Sequence, residues 1–149
     1  MAKSEMIRNF WDLIAYQKAR NLAREVFNLS KSFPREENYS LTDQIRRASR
    51  SVGAQIAEGW GKRRYEKVFI SKLVDADGEQ YEVQHWALVA NDCGYIDEDS
   101  ARKLIDDCRE INRLIHGMIN KSSQFCGPKL TKTINEEALE YFVNGELYK

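Results

Sequence analysis

The sequence predicts an all-α protein, an antiparallel up-down-up-down four-helix bundle with a C-terminal extension. Three observations predict it. Apolar residues recur at helical spacing over four long segments. Only two prolines and eight glycines interrupt 149 residues, far fewer turn signals than a sheet protein needs. The predicted connections are short, which makes consecutive helices antiparallel neighbours. Residues 1–121 are assigned to the bundle and 122–149 to a tail.

The first helix is expected from about Asn9 to Lys31, with Phe10, Ile14, Ala19, Leu22, Val26 and Leu29 on its apolar face and Pro34 closing the segment. Ser40 stands at the N-cap of the second, with Asp43 in its first turn. Leu41, Ile45, Ala48, Val52 and Ile56 form that helix's stripe, and it ends at Gly59 or Gly61 through glycine's tolerance of left-handed backbone. The third runs from Tyr65 to Asp92 on Phe69, Leu73, Ala76, Gln80, Val83, Ala87 and Ala90. Ile70, Val74, Tyr81 and Leu88 widen its apolar face, as a helix touching two neighbours requires, and Gly94 stops it. Asp97 caps the fourth, which packs through Leu104, Cys108, Ile111, Ile115 and Met118. Helices of about 20 to 28 residues are roughly 30–42 Å long. In the tail, Ser122, Ser123, Gly127 and Pro128 read as loop, and Asn135-Glu136-Glu137 could cap a short amphipathic helix through Val143.

Composition narrows the function classes. The formal net charge is zero and 42% of residues are apolar, which is globular rather than disordered. The N-terminal MAKSEMIRNFWDLIAY has no sustained apolar core of a signal peptide, and no stretch approaches the ~18 apolar residues of a membrane span. Cys93, Cys108 and Cys126 are odd in number and lack CxxC spacing, so they read as reduced thiols of a cytoplasmic protein.

No catalytic pattern survives inspection. Glu82-Val83-Gln84-His85 is the half-site spacing of a carboxylate-bridged di-metal centre. The only other histidine is His116, however, and Arg113 occupies the position its glutamate would need. A thiol–imidazole pair or zinc site from Cys93 or Cys108 with a histidine is countered by Cys108 lying on an apolar stripe. Gly59-Trp60-Gly61-Lys62 lacks both the P-loop pattern and its preceding strand. The expectation is a non-enzyme without cofactor or metal.

Charge is distributed unevenly. Between Gln44 and Lys67 seven Lys/Arg face two acids, whereas between Asp75 and Glu110 eleven acids face three Lys/Arg. Arg46, Arg47 and Arg50 lie off the apolar stripe of the second helix, and Lys62, Arg63, Arg64 and Lys67 follow its end. Such a face could bind a polyanion, could be an ordinary solvated surface, or could pair with the acidic helices within one subunit or between subunits of a ring. Trp60 and Tyr65, beside the second cluster, could stack on unpaired bases or pack at the bundle end.

FWDLIAYQKARNLAREVFNLSKSFP, then LTDQIRRASRSVGAQIAEGWGKR and GYID, resemble the bacterial four-helix-bundle proteins encoded in intervening sequences of 23S ribosomal RNA genes, often labelled S23 ribosomal protein. The likeness covers roughly Phe10 to Lys121, with Gln44–Ala48 and Ile56–Gly59 its most specific elements. It implies a homopentameric ring. A related bundle, the accessory protein of diversity-generating retroelements, binds nucleic acid together with a reverse transcriptase. Two departures stand out. Gly53 and Gln55 occupy places where the family has proline and asparagine, and Ala76-Asp77-Gly78-Glu79 replaces Ala-Arg-Gly-Ser, which weakens any nucleic-acid surface that includes that position.

The combined expectation is a homo-oligomeric bundle that binds RNA or DNA backbone through Arg46, Arg47, Arg50, Lys62, Arg63, Arg64 and Lys67. The alternative is a protein-interaction ring or adaptor, for example for a reverse transcriptase. In that case the arginines form subunit salt bridges, and Glu58 and Gly59 hold the bundle end in register, Glu58 by pairing with an arginine of the second helix or of a neighbour.

Overall fold

Four long helices follow one another in the computed structural model, which describes residues 7–126. They are α1 (Ile14–Ser30), α2 (Leu41–Gly61), α3 (Glu66–Asp92) and α4 (Glu98–Asn120), with a single further turn, α5 (Ser122–Phe125), and no strand among the described residues. α1 packs on α2 and α4, and α3 packs on the same two, so the helices enclose one core. Paired residues run in opposite sequence order at each interface. Lys18 faces Glu110 and Glu25 faces Lys103 between α1 and α4. Glu66 meets Ser122 and Asp77 meets Asn112 where α3 descends past α4.

The apolar stripe read for α3 is the buried one, from Phe69 to Ala90, and each full burial of a Leu- or Phe-sized chain contributes about 1.5–3 kcal/mol. Leu104, Cys108, Ile111, Ile115 and Met118 are likewise buried on α4. Val74, Tyr81 and Leu88 are not: each is more than half exposed and points out of the bundle, whereas Ile70 packs partly buried against the core. Ile14 is also exposed, because α1 starts about five residues late. Asp12 accepts the Asn9 amide through its carboxylate (3.0 Å), closing a 3-10 turn over Phe10–Asp12, and Leu13 then adopts extended backbone before α1 begins. Leu13 takes the core position that an uninterrupted helix gives to Ile14.

Helix ends supply both corrections and agreements. Ser40 stands at the N-cap position of α2 without capping it. Its hydroxyl donates to Glu37 (2.8 Å), and that same carboxylate oxygen accepts the Leu41 amide (3.1 Å). α2 ends at Gly61 without left-handed backbone, since Gly94 alone has positive φ among the described glycines. Gly59 serves packing: a Cβ there would lie 3.2 Å from Lys72 Cβ and 3.5 Å from the Phe69 carbonyl, so its hydrogen is what lets α3 approach α2. Residues 122–126, read as loop, instead extend the bundle, with Phe125 against Trp60 and Phe69. The amphipathic segment at 135–143 lies outside the described residues.

Gly94 ends α3 as expected, at φ 74° with the Tyr95 amide returning to the Ala90 carbonyl (2.9 Å). Gly94→Ala forces a side chain into that conformation and is expected to cost about 1 kcal/mol, read as a lower urea midpoint at unchanged slope. Asp97 caps α4, accepting the Ser100 amide at 2.7 Å.

Candidate functional site

Helical spacing places Arg46, Arg47 and Arg50 along one side of α2, and the packing of α1 brings further cations beside them. Arg46 is half-buried, donating Nε–H to the Ser30 hydroxyl (2.8 Å), with its guanidinium 5.0 Å from the Phe27 ring centre. Arg50 lies 6.0 Å and the Lys31 ammonium 4.7 Å from the same ring. Three cations thus surround one aromatic face of α1. Arg46, Arg47 and Arg50 also line a shallow groove of about 660 Å³ with Thr42 and Asp43. On its other side Arg50 borders a second groove, shared with Arg20 and Arg24 of α1.

Six cations therefore share the α1–α2 face: Arg20, Arg24, Lys31, Arg46, Arg47 and Arg50. None is within ion-pair distance of a carboxylate among the described residues. The α1 members were missed in the sequence because their segment has no unusual net charge. The signal was present: Arg20, Arg24, Phe27 and Lys31 follow the i, i+4, i+7, i+11 spacing of one helical face.

The second cluster is less uniform. Arg63 stacks 3.4 Å over the Trp60 ring and donates Nε–H to the Trp60 carbonyl (2.8 Å), so it finishes α2, and burial pulls its pKa down. Trp60 itself is buried at the bundle end, which excludes it as an open stacking platform. Lys62, Arg64 and Lys67 are exposed, with Arg64 5.8 Å from the Tyr65 ring. Lys62 lies about 18 Å from Arg50 along the α2 axis, and Arg64 and Lys67 follow it past the helix end, so the two clusters are separate patches.

Asp77 and Glu79 divide between the two sides of α3. Asp77 turns to α4, accepting from Asn112 (2.8 Å) and Gln80 (2.9 Å), with His116 Nε2 at 3.3 Å. Glu79 faces α2 beside Ser51 and Arg47, and burial together with neighbouring Glu82 raises its pKa. Of these two acids, Glu79 is the one beside the basic face, which Asp43 also borders.

Glu58 pairs with Lys72 of α3 (2.9 Å), not with an arginine, and Gln55 accepts from the same ammonium (3.4 Å). The Lys72 hydrogen bond and charge hold its carboxyl below the usual 4.5. A depressed carboxylate stabilises the fold above its unfolded pKa and loses that contribution as pH falls through the folded value. The melting-temperature gap between wild type and Glu58→Gln is expected to be small near neutral pH and to close as the pH falls below the usual carboxylate range.

Other reactive groups are dispersed. Burial pushes the Cys108 thiol up to about 12, so it is a core residue rather than a nucleophile. Glu82 accepts from the Trp86 indole (3.1 Å), and exposed His85 rests edge-on against that ring. Among the described residues no three His, Cys, Asp or Glu side chains are grouped to hold a metal, and no helix is long and apolar enough to cross a membrane.

Comparison with known proteins places this geometry in a group. The family described as 23S rRNA-intervening sequence protein matches residues 11–117. A solved structure from Bacteroides thetaiotaomicron, a protein with unknown function from the S23 ribosomal protein family, is 28% identical over 71% of this chain and 98% of its own, with a TM-score of 0.65. No protein of curated function matches the sequence.

Proposed function

The chain belongs to the 23S rRNA-intervening sequence protein family, and we propose that it is a non-enzymatic, homo-oligomeric bundle that binds nucleic-acid backbone through the α1–α2 face. The observation that carries this reading is the cation set Arg20, Arg24, Lys31, Arg46, Arg47 and Arg50, gathered without carboxylate partners among the described residues. Like charges held this close repel one another, and a polyanion relieves the repulsion while guanidinium forks pair with phosphate oxygens. Recognition is by charge and shape, since the face carries no base-reading motif of the RRM, KH or zinc-finger kind. Fluorescence anisotropy of labelled RNA and DNA at two salt concentrations tests it. Binding that weakens steeply with salt supports the proposal, and no binding at low salt overturns it.

A second reading is favoured by one observation: Val74, Tyr81 and Leu88 recur every seven residues on the outside of α3, all more than half exposed. An apolar seam of this kind suits a helix-to-helix contact. In this reading the protein is an interaction ring, five subunits as the family resemblance implies, which docks a protein such as a reverse transcriptase. An oligomer that keeps its mass at both salt concentrations, as weakly salt-dependent apolar contacts require, and binds neither RNA nor DNA at low salt favours this reading over the first.

A further inference from the structure

Between α1 and α2 the basic face is interrupted by a slot of about 510 Å³ with a different lining. Small residues, Ala23, Gly53 and Ala57 among them, keep its floor low. Tyr16 forms a wall, its ring edge 3.6 Å from where a Gly53 Cβ would stand, backed by Phe10 at 4.9 Å between ring centres. Arg20, with its guanidinium 6.0 Å from the Tyr16 ring, shares the rim with Arg24 and Arg50. A low apolar floor, an aromatic wall and cations around the rim fit a nucleotide: the base is flat and apolar on its faces, and its flanking phosphates are anionic. A duplex cannot use such a slot, because its base faces are already stacked on one another.

We propose that this slot takes an unpaired nucleobase against Tyr16, with the adjoining phosphates on Arg20, Arg24 and Arg50. The ligand is then single-stranded rather than duplex nucleic acid. The inference rests on the polyanion reading of the α1–α2 face and adds to it the strandedness of the ligand.

The test compares labelled single-stranded RNA, single-stranded DNA and the duplex form of the same sequence, each about 12 nucleotides long, at one salt concentration. Wild type is expected to bind one or both single strands at least about fivefold more tightly than the duplex, the lower end of what stacking one base contributes. RNA or DNA as the favoured strand names the source. Ala23→Gln fills the slot with a neutral chain and Tyr16→Leu removes the aromatic wall. Both variants, checked for native melting, should lose the single-strand advantage and keep duplex affinity within about twofold. Equal affinity of wild type for single strand and duplex overturns the inference and leaves the polyanion reading standing. An advantage that persists in both variants also overturns it. Absence of binding to every form removes the polyanion reading, and this inference with it.

Discussion

Replacing Arg46, Arg47 and Arg50 together by alanine is expected to weaken nucleic-acid binding on the order of 100-fold, from about 1 kcal/mol net for each charged contact. The salt dependence should change as well. Each phosphate neutralised contributes about −0.9 on a duplex, or about −0.7 on a single strand, to the slope of log K against log salt, so three lost contacts flatten it by about 2.7 or about 2.1. Matched Arg102, Arg109 and Arg113→Ala substitutions remove the same formal charge from α4 and should change affinity by less than about twofold. The contrast between the triplets separates a local surface from a general effect of charge. Stability gives an independent check. Arg47 and Arg50 are exposed and Arg46 makes one hydrogen bond to Ser30, so the triple variant should melt within a few degrees of wild type. A large fall in melting temperature or a change in native mass would assign these arginines to the protein's own contacts.

Phe69→Ala is expected to be the most damaging single change to the fold, at about 3–5 kcal/mol in urea unfolding. Phe69 is fully buried, its carbonyl touches the space that Gly59 leaves open, and its ring lies 5.8 Å from that of Phe125. Removing the ring opens a cavity where α2, α3 and α5 converge, and Phe125 loses one of its two aromatic neighbours, the other being Trp60. With total stabilities of about 5–15 kcal/mol, such a loss leaves a marginal protein. Phe69→Leu, which refills most of the volume, should lose considerably less. The effect on function is expected to be uneven. Lys62, Arg64 and Lys67 sit at the damaged end, whereas Arg20, Arg24, Arg46 and Arg50 lie on the α1–α2 face away from it. Folded Phe69→Ala should therefore keep most of its affinity.

The fold was largely legible because each long helix carries one uninterrupted stripe, and on α3 the seven residues chosen from spacing are the seven buried ones. Spacing alone does not tell an inner apolar stripe from an outer one. Val74, Tyr81 and Leu88 continue the same periodicity and yet face outward, because α2 and α4 already cover the inner side of α3. Capping by a residue outside the expected position was also hidden. Glu37 reaches forward across a turn to the α2 amide, leaving Ser40 to donate rather than accept. Gly59 was read for its backbone freedom, whereas it is needed for want of a side chain, a role visible only once Lys72 and Phe69 are placed against it. The candidate site was half legible. Three α2 arginines stood out as a local charge excess, but Arg20, Arg24 and Lys31 come to that face only through the packing of α1 on α2. Arg63 illustrates the converse, a cation whose stacking on Trp60 takes it out of a surface cluster that sequence proximity suggested.

Arginine footprinting tests the central claim most directly: the protein is treated with a guanidinium-modifying dicarbonyl, with and without bound RNA, and modified positions are mapped by peptide mass. Protection of Arg20, Arg24, Arg46, Arg47 and Arg50, with Arg102, Arg109 and Arg113 modified equally in both samples, is the result that a polyanion-binding α1–α2 face predicts. Protection confined to the α4 arginines, or no difference under conditions where RNA is bound, would contradict it.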